Sequence, residues 1–314
     1  MTSLWSILLL LLLLALIAAV TMSVIVGWKL THPPRKDVEM NPNDFGIQSY
    51  EEVSFYSRDR NILLSGWYLS ATENGHETNG HTVIFAHGYS QNRQEPHLPA
   101  LSLAARLVSC GYDILMFDFR NAGLSQGSVT TVGFHEQADL QGAIDFALSI
   151  RPDHKIGLIG FSMGASTALL VAGKDERVQA VVADSPFYCL EEYLKESLPA
   201  WTGLPAFPFN RIILTVVPLL LRAHPKQVRP WTAVSQISPR PVLFIHGTGD
   251  VTISSAHSCR LYELVKHTES ELWLVPEAGH VRSYALSPEE YSQRVLAFFE
   301  KHMLQKTKQS PLIS

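Results

Sequence analysis

Ten residues constrain this chain more than any others. Ile156 to Ala165 read Ile-Gly-Leu-Ile-Gly-Phe-Ser-Met-Gly-Ala, an apolar run that ends in a G-x-S-x-G centred on Ser162. The pattern predicts a buried strand over 156–159, a sharp turn, and a helix beginning near Ala165. In such an elbow the serine sits in a strained backbone conformation at the tip, and Gly160 and Gly164 remove the side chains that would keep strand and helix apart. The hydroxyl is then exposed above the sheet, close to the positive end of a helix dipole. A glycine-rich turn in an ordinary α/β sheet fits the same ten residues, so the rest of the chain has to supply Ser162 with partners.

A serine hydroxyl is almost wholly protonated near neutral pH, so as a nucleophile it needs a general base, and the base needs a carboxylate to fix its tautomer. For this elbow the chain order is serine, acid, histidine. Downstream, Pro241-Val242-Leu243-Phe244-Ile245-His246-Gly247 reads as an apolar strand that delivers Asp250 into the loop behind it. Glu271 to Pro276 reads as the next strand, followed by Glu277-Ala278-Gly279-His280. Asp250 is the expected acid and His280 the expected base, because groups at the carboxyl ends of parallel strands converge on one site. Asp184, which ends the apolar run Ala180 to Ala183, is the rival acid. Among the 13 histidines, His246 lies within a strand run and His257 and His267 within a helix-like stretch, so these three read as structural.

An acyl-transfer site also needs two N–H groups aimed at the oxygen that becomes negative. The elbow supplies that of Met163. Thr82 to Ala86 is a β-rich run ending in His87-Gly88-Tyr89-Ser90, which makes the Tyr89 N–H the second expected donor and His87 a turn-forming neighbour.

With these segments in place, the chain resembles an α/β-hydrolase-fold serine hydrolase over roughly 53–303. The resemblance rests on HGYS at 87–90, FDFRNAGLSQG at 117–127, GFSMG at 160–164, HGTGD at 246–250 and EAGH at 277–280. Within that family it is most similar to the group of membrane-anchored esterases, acyl hydrolases and prolyl-oligopeptidase-like peptidases. Relatives carry Arg-Gly-x-Gly where this chain has Arg120-Asn121-Ala122-Gly123. Asn accepts a positive φ nearly as well as Gly, so the loop is expected to survive.

With 314 residues, 46% of them hydrophobic, and a net charge of −4, the chain has ample material for one large α/β core and no basic face for nucleic acid. Strand-like and helical runs alternate, which predicts a mostly parallel sheet with helices on both faces. Glu52–Ser57 and Leu63–Leu69, with no helix between them, predict an antiparallel hairpin at one edge. Cys110, Cys189 and Cys259 are an odd set without motif spacing and read as reduced, buried thiols. No metal or organic cofactor is expected.

Two segments stand outside this core. Leu4 to Trp28 carries no charge and exceeds the roughly 20 residues that span a bilayer. A cleaved signal peptide has a basic start and a shorter apolar core, and no Lys or Arg precedes this run. The expected reading is an uncleaved anchor over 1–28 and a linker over 29–48, leading to a catalytic domain over 49–304. Lys29, Arg35 and Lys36 then place that domain on the cytoplasmic side. The second segment is a cap insertion at about 187–240. Leu198-Pro199-Ala200-Trp201 and Leu204 to Phe209 read there as proline-broken turns, and Ile212 to Leu221 reads as an apolar helix, either a core helix or the lid of an acyl site. The tail 305–314 reads as frayed. The expected activity is ester hydrolysis of a small or lipid-like acyl substrate. A peptidase of the oligopeptidase-like group and a non-enzymatic membrane scaffold are the alternatives.

Overall fold

Alternating apolar runs build the centre of this molecule. A computed structural model describes residues 2–95, 98–265 and 269–304, so His267 and the tail 305–314 lie outside the described residues. Helix α1 (Thr2–Thr31) precedes strands β1 (Glu51–Tyr56), β2 (Leu63–Leu69) and β3 (His81–Ala86). Then come α2 (Ala100–Ser109), β4 (Asp113–Phe117), α3 (Glu136–Ile150), β5 (Lys155–Phe161), α4 (Met163–Ala172) and β6 (Val178–Asp184). The second half holds α5 (Leu190–Thr202), α6 (Ala206–Leu221), α7 (Pro230–Ile237), β7 (Val242–Gly247), α8 (Ala256–Glu263), β8 (Glu271–Val275), α9 (Ser283–Leu286) and α10 (Pro288–Phe299).

The strands form one sheet in the order β1-β2-β4-β3-β5-β6-β7-β8. The pairs β1–β2 and β2–β4 are antiparallel and all the others parallel, so the expected edge hairpin is present. Successive side chains leave a strand on opposite faces, and both faces are apolar here. Val83 and Phe85 of β3 join a core layered by α2 and α10, through residues such as Leu101 and Phe298. Ile84 and Ala86 join a core layered by α3, α4 and α7, through Ile144, Leu169 and Val234. Helix α7 lies within the span expected as cap, yet Val234 and Ile237 are buried in this second core.

The remaining cap helices correct one reading of the sequence and decide between two others. Pro199 does not break a turn but lies inside α5. Proline lacks the N–H that would bond the carbonyl of Lys195 four residues earlier. The Asn210 side chain donates to that carbonyl instead, at 3.0 Å. Nor is Ile212 to Leu221 a core helix, since only Ile213 and Pro218 of α6 are buried. One side of α6 packs on α5 and α1, and Leu219 and Leu220 remain exposed. The cysteines are free, with Cys110 exposed at the α2 C-cap rather than buried.

The apolar helix α1 ends against the sheet-containing domain. Gly27 faces Val217 so closely that a Cβ there would overlap its side chain. The Tyr89 hydroxyl donates to the Leu30 carbonyl at 2.7 Å, and the Thr130 N–H to the Thr31 carbonyl at 2.8 Å. Beyond it, Asn92 donates to the Asp37 carbonyl at 2.8 Å, and Gln94 to that of Met40 at 2.7 Å. The stretch expected as a linker is thus hydrogen-bonded to the domain. Residues 4–17 of α1 expose nearly all their apolar side chains.

Candidate active site

Backbone sterics at the end of β5 create the site. Ser162 holds φ 52° and ψ −113°, a region costly for a residue with a Cβ, and is 9% exposed. A Cβ on Gly160 would overlap the Gly164 carbonyl, and one on Gly164 would overlap that of Ala86. Only glycine lets β3, β5 and α4 approach this closely. The Ser162 N–H donates to the Asp184 carbonyl at 2.8 Å, which pins the elbow to the end of β6. Met163 is the first residue of α4, so its N–H has no acceptor within the helix.

Histidine 280 arrives from the loop after β8 and Asp250 from the loop after β7. The Nε2 of His280 lies 2.9 Å from the Ser162 Oγ, and its Nδ1 2.7 Å from the Asp250 Oδ2. The structure therefore brings three sequence-nominated residues into one hydrogen-bonded line. Asp250 is held on all sides. Its Oδ1 accepts the N–H groups of Thr252 and Ile253 at 2.8 and 2.9 Å, and its Oδ2 also lies 3.2 Å from the Nε2 of His246. Burial alone would raise the pKa of Asp250, but hydrogen bonds from His246 and His280 and the positive charge of His280 hold it well below the usual carboxylate range.

The rival Asp184 is occupied elsewhere. Its Oδ1 accepts the Ser185 hydroxyl at 2.9 Å and its Oδ2 the Tyr291 hydroxyl at 3.0 Å. Full burial pushes its pKa up to about 6 in spite of those bonds. His87 accepts the Phe119 N–H on Nε2 at 2.9 Å, which leaves Nδ1 to donate to the Gly88 carbonyl at 2.7 Å. Both ring nitrogens are engaged and burial lowers its pKa, as suits a neutral, turn-forming residue. Asn121, at φ 58°, takes the left-handed conformation expected of it.

Two contributors escaped the sequence reading. His246 is structural, as expected, but the structure it supports is Asp250. Its Nδ1 lies 2.7 Å from the Ser258 hydroxyl and its Nε2 2.9 Å from the Ile253 carbonyl, so Nε2 carries the hydrogen and faces the acid. The i, i+4 spacing of His246 and Asp250 was the available signal. Glu95 left none. Its carboxylate accepts the Gly88 N–H at 2.6 Å, fixing the peptide that leads into Tyr89, and it is 3% exposed.

Burial raises the Glu95 pKa to about 7, against the opposing Gly88 hydrogen bond and the Lys36 charge. An acid whose folded pKa lies above its unfolded value of 4.5 loses stability as pH rises through that interval. Glu95→Gln keeps an oxygen for Gly88 and has no charge to bury. Relative to the wild type it should gain about 2.5 kcal/mol between about pH 5 and about pH 8, read from denaturant unfolding at both pH values. Parallel pH dependences would show that Glu95 ionises without cost.

A cavity of about 470 Å³ opens over Ser162. Leu30, Val132, Phe187, Tyr193, Leu194 and Trp201 give it much apolar lining, and Gln91, Glu95, Thr252, Arg282 and His280 line it alongside Ser162. Among the described residues no group of His, Cys, Asp and Glu has the arrangement of a metal site.

Comparison with known proteins agrees with this architecture. Residues 81–208 match a family model described as alpha/beta hydrolase fold. The chain is 28% identical over 296 residues to the uncharacterized protein YqkD of Bacillus subtilis, covering 90% of this chain and 95% of that one. Identity with the polyketide transferase af380 of Aspergillus fumigatus is 25% over 299 residues, covering 81% and 98%. Among solved structures, the Pyrococcus furiosus esterase Pf2001 superposes with a TM-score of 0.72 at 29% identity, covering 88% of this chain and 99% of that one. Strand order, the elbow after β5 and these similarities make the chain an α/β-hydrolase-fold protein with esterase structural neighbours.

Proposed function

We propose that this chain is a membrane-anchored serine hydrolase that cleaves carboxylic esters through an acyl-enzyme. The observation that carries the reading is the hydrogen-bonded line from Asp250 through His280 to Ser162 at the floor of an apolar cavity. As the Ser162 Oγ attacks the ester carbonyl carbon, its proton passes to His280 Nε2. Asp250 stabilises the imidazolium, and the N–H groups of Tyr89 and Met163 hold the oxyanion. Collapse of the tetrahedral species expels the alcohol, which takes the proton from His280. Water then repeats the sequence to release the acid. Helix α1 anchors the domain, and Lys29, Arg35 and Lys36 favour the cytoplasmic side.

The similarity to the polyketide transferase af380 favours a second reading, in which an acceptor other than water takes the acyl group. Both readings share the acyl-enzyme. A fluorophosphonate probe applied to full-length protein in membranes should give an adduct on Ser162, and esters should turn over at least about 100-fold faster than peptide anilides. Faster anilide cleavage would favour a peptidase. Folded, detergent-opened protein that takes no label would favour a scaffold. A membrane-impermeant probe that labels only after permeabilisation would support the cytoplasmic orientation.

A further inference from the structure

The cavity over Ser162 has an apolar neighbour that the hydrolytic chemistry does not use. A second groove is lined by Gly27 and Leu30 of α1, Leu198 of α5, and Ile213, Leu214 and Val217 of α6. Leu30, Val132 and Leu194 line both spaces, so the groove continues the catalytic cavity. Its walls are mostly apolar, and the side chains of Thr31, Thr130, Thr131 and His224 that also line it already hydrogen-bond within the protein, so a polar ligand entering it would lose water with little replacement. A hydrocarbon chain has nothing to lose there.

One wall of this groove is the last turn of the apolar N-terminal helix. That turn is held by three independent contacts: Tyr89 to the Leu30 carbonyl, Thr130 to the Thr31 carbonyl, and Gly27 against Val217. Tyr89 is itself a residue of the catalytic cavity, so the contact couples the helix directly to the site. Leu219 and Leu220, beside the groove residues Pro218 and Leu221 at the end of α6, are exposed. An apolar surface of this kind at the foot of a membrane helix suits the boundary between headgroups and acyl chains.

Resting on the hydrolase reading above, we infer that the last turn of α1 is a wall of the substrate site, and that the groove between it and α6 seats the acyl chain of a long-chain ester. The ester carbonyl sits at Ser162, and the chain runs past Val132 and Leu194 to Leu30 and then into the groove beside Leu198 and Leu214. The N-terminal helix therefore selects substrate as well as holding the enzyme in place.

The test uses full-length protein and two alkyl fluorophosphonates, one with a butyl and one with a hexadecyl chain, read as the ratio of their labelling rates. In the wild type the long probe should react faster by at least about tenfold, the worth of about two buried methylenes. Leu30→Trp and Leu214→Trp, which fill the groove from its two walls, should each bring the ratio close to one. Leu219→Trp, on the exposed side of α6, should leave it at the wild-type value. A wild-type ratio near one, or a ratio unmoved by either filling substitution in folded protein, overturns the acyl groove. An effect of Leu214→Trp without one of Leu30→Trp removes α1 from the site, and an equal effect of Leu219→Trp marks a general disturbance of α6 and overturns the inference too. Absence of labelling by both probes would instead overturn the serine-hydrolase reading and take this inference with it.

Discussion

Alanine at position 162 should lower ester hydrolysis by on the order of 10⁵-fold while leaving the unfolding free energy within about 1 kcal/mol of wild type. The two halves of this expectation come from different parts of the site. Loss of the hydroxyl removes the oxygen that lies 2.9 Å from the His280 Nε2 and would form the proposed acyl-enzyme. If the N–H groups of Tyr89 and Met163 hold the oxyanion as proposed, they and the apolar cavity remain, and residual activity above the uncatalysed rate is expected. Stability should hardly change, because the strain at φ 52° belongs to any residue with a Cβ and is the same for serine and alanine. Steady-state hydrolysis of an activated ester and denaturant unfolding check the two halves separately. An alanine variant that keeps the wild-type rate would remove Ser162 from the mechanism.

The parts of this site that were legible in the sequence are those where one residue type is demanded by local backbone or by chemistry. Gly160 and Gly164 are such cases, since any Cβ there overlaps a neighbouring carbonyl. Ser162, Asp250 and His280 each follow an apolar run, and parallel strands carry such ends to one edge of the sheet. The edge hairpin was legible because no helix separates its two runs. What escaped depends on contacts that no residue pattern marks. Glu95 meets Gly88, seven residues earlier in the same loop, through a side chain that no motif singles out. The proline at 199 is tolerated within α5 because Asn210, on the following helix, bonds the carbonyl that proline leaves free. Helix α7 is part of the core rather than the cap because Val234 and Ile237 meet the face of the sheet that α4 also covers. The docking of α1 was hidden for another reason. Its hydrogen bonds to Tyr89 and Thr130 are made by backbone carbonyls, which every residue has, so composition and spacing carry no trace of them.

The choice between the two candidate acids gives the second large effect. Asp250→Asn should reduce turnover by on the order of 10³–10⁴-fold, whereas Asp184→Asn should stay within about tenfold of wild type. Both oxygens of Asp250 face donors only: the N–H groups of Thr252 and Ile253 on one side, the imidazoles of His280 and His246 on the other. An asparagine has to turn its NH2 toward one pair. Facing the backbone, it sets donor against donor and leaves buried N–H groups unpaired, at a cost of about 1–3 kcal/mol. Facing His280, it makes Nδ1 the acceptor and puts the hydrogen on Nε2, where it can no longer take the proton of Ser162. Neither orientation carries the negative charge that stabilises the imidazolium. Asp184 differs on each count. Its partners are the hydroxyls of Ser185 and Tyr291, which can rotate to accept as well as donate. Burial has already pushed its pKa up to about 6, so a neutral amide is a smaller change there than at Asp250. The rate of ester hydrolysis near neutral pH, measured for both variants after their folding has been verified, decides between them. If Asp184→Asn suffers the thousandfold loss and Asp250→Asn does not, the charge that His280 needs comes from the end of β6, and the line from Asp250 to Ser162 is a structural hydrogen-bond network rather than the catalytic one.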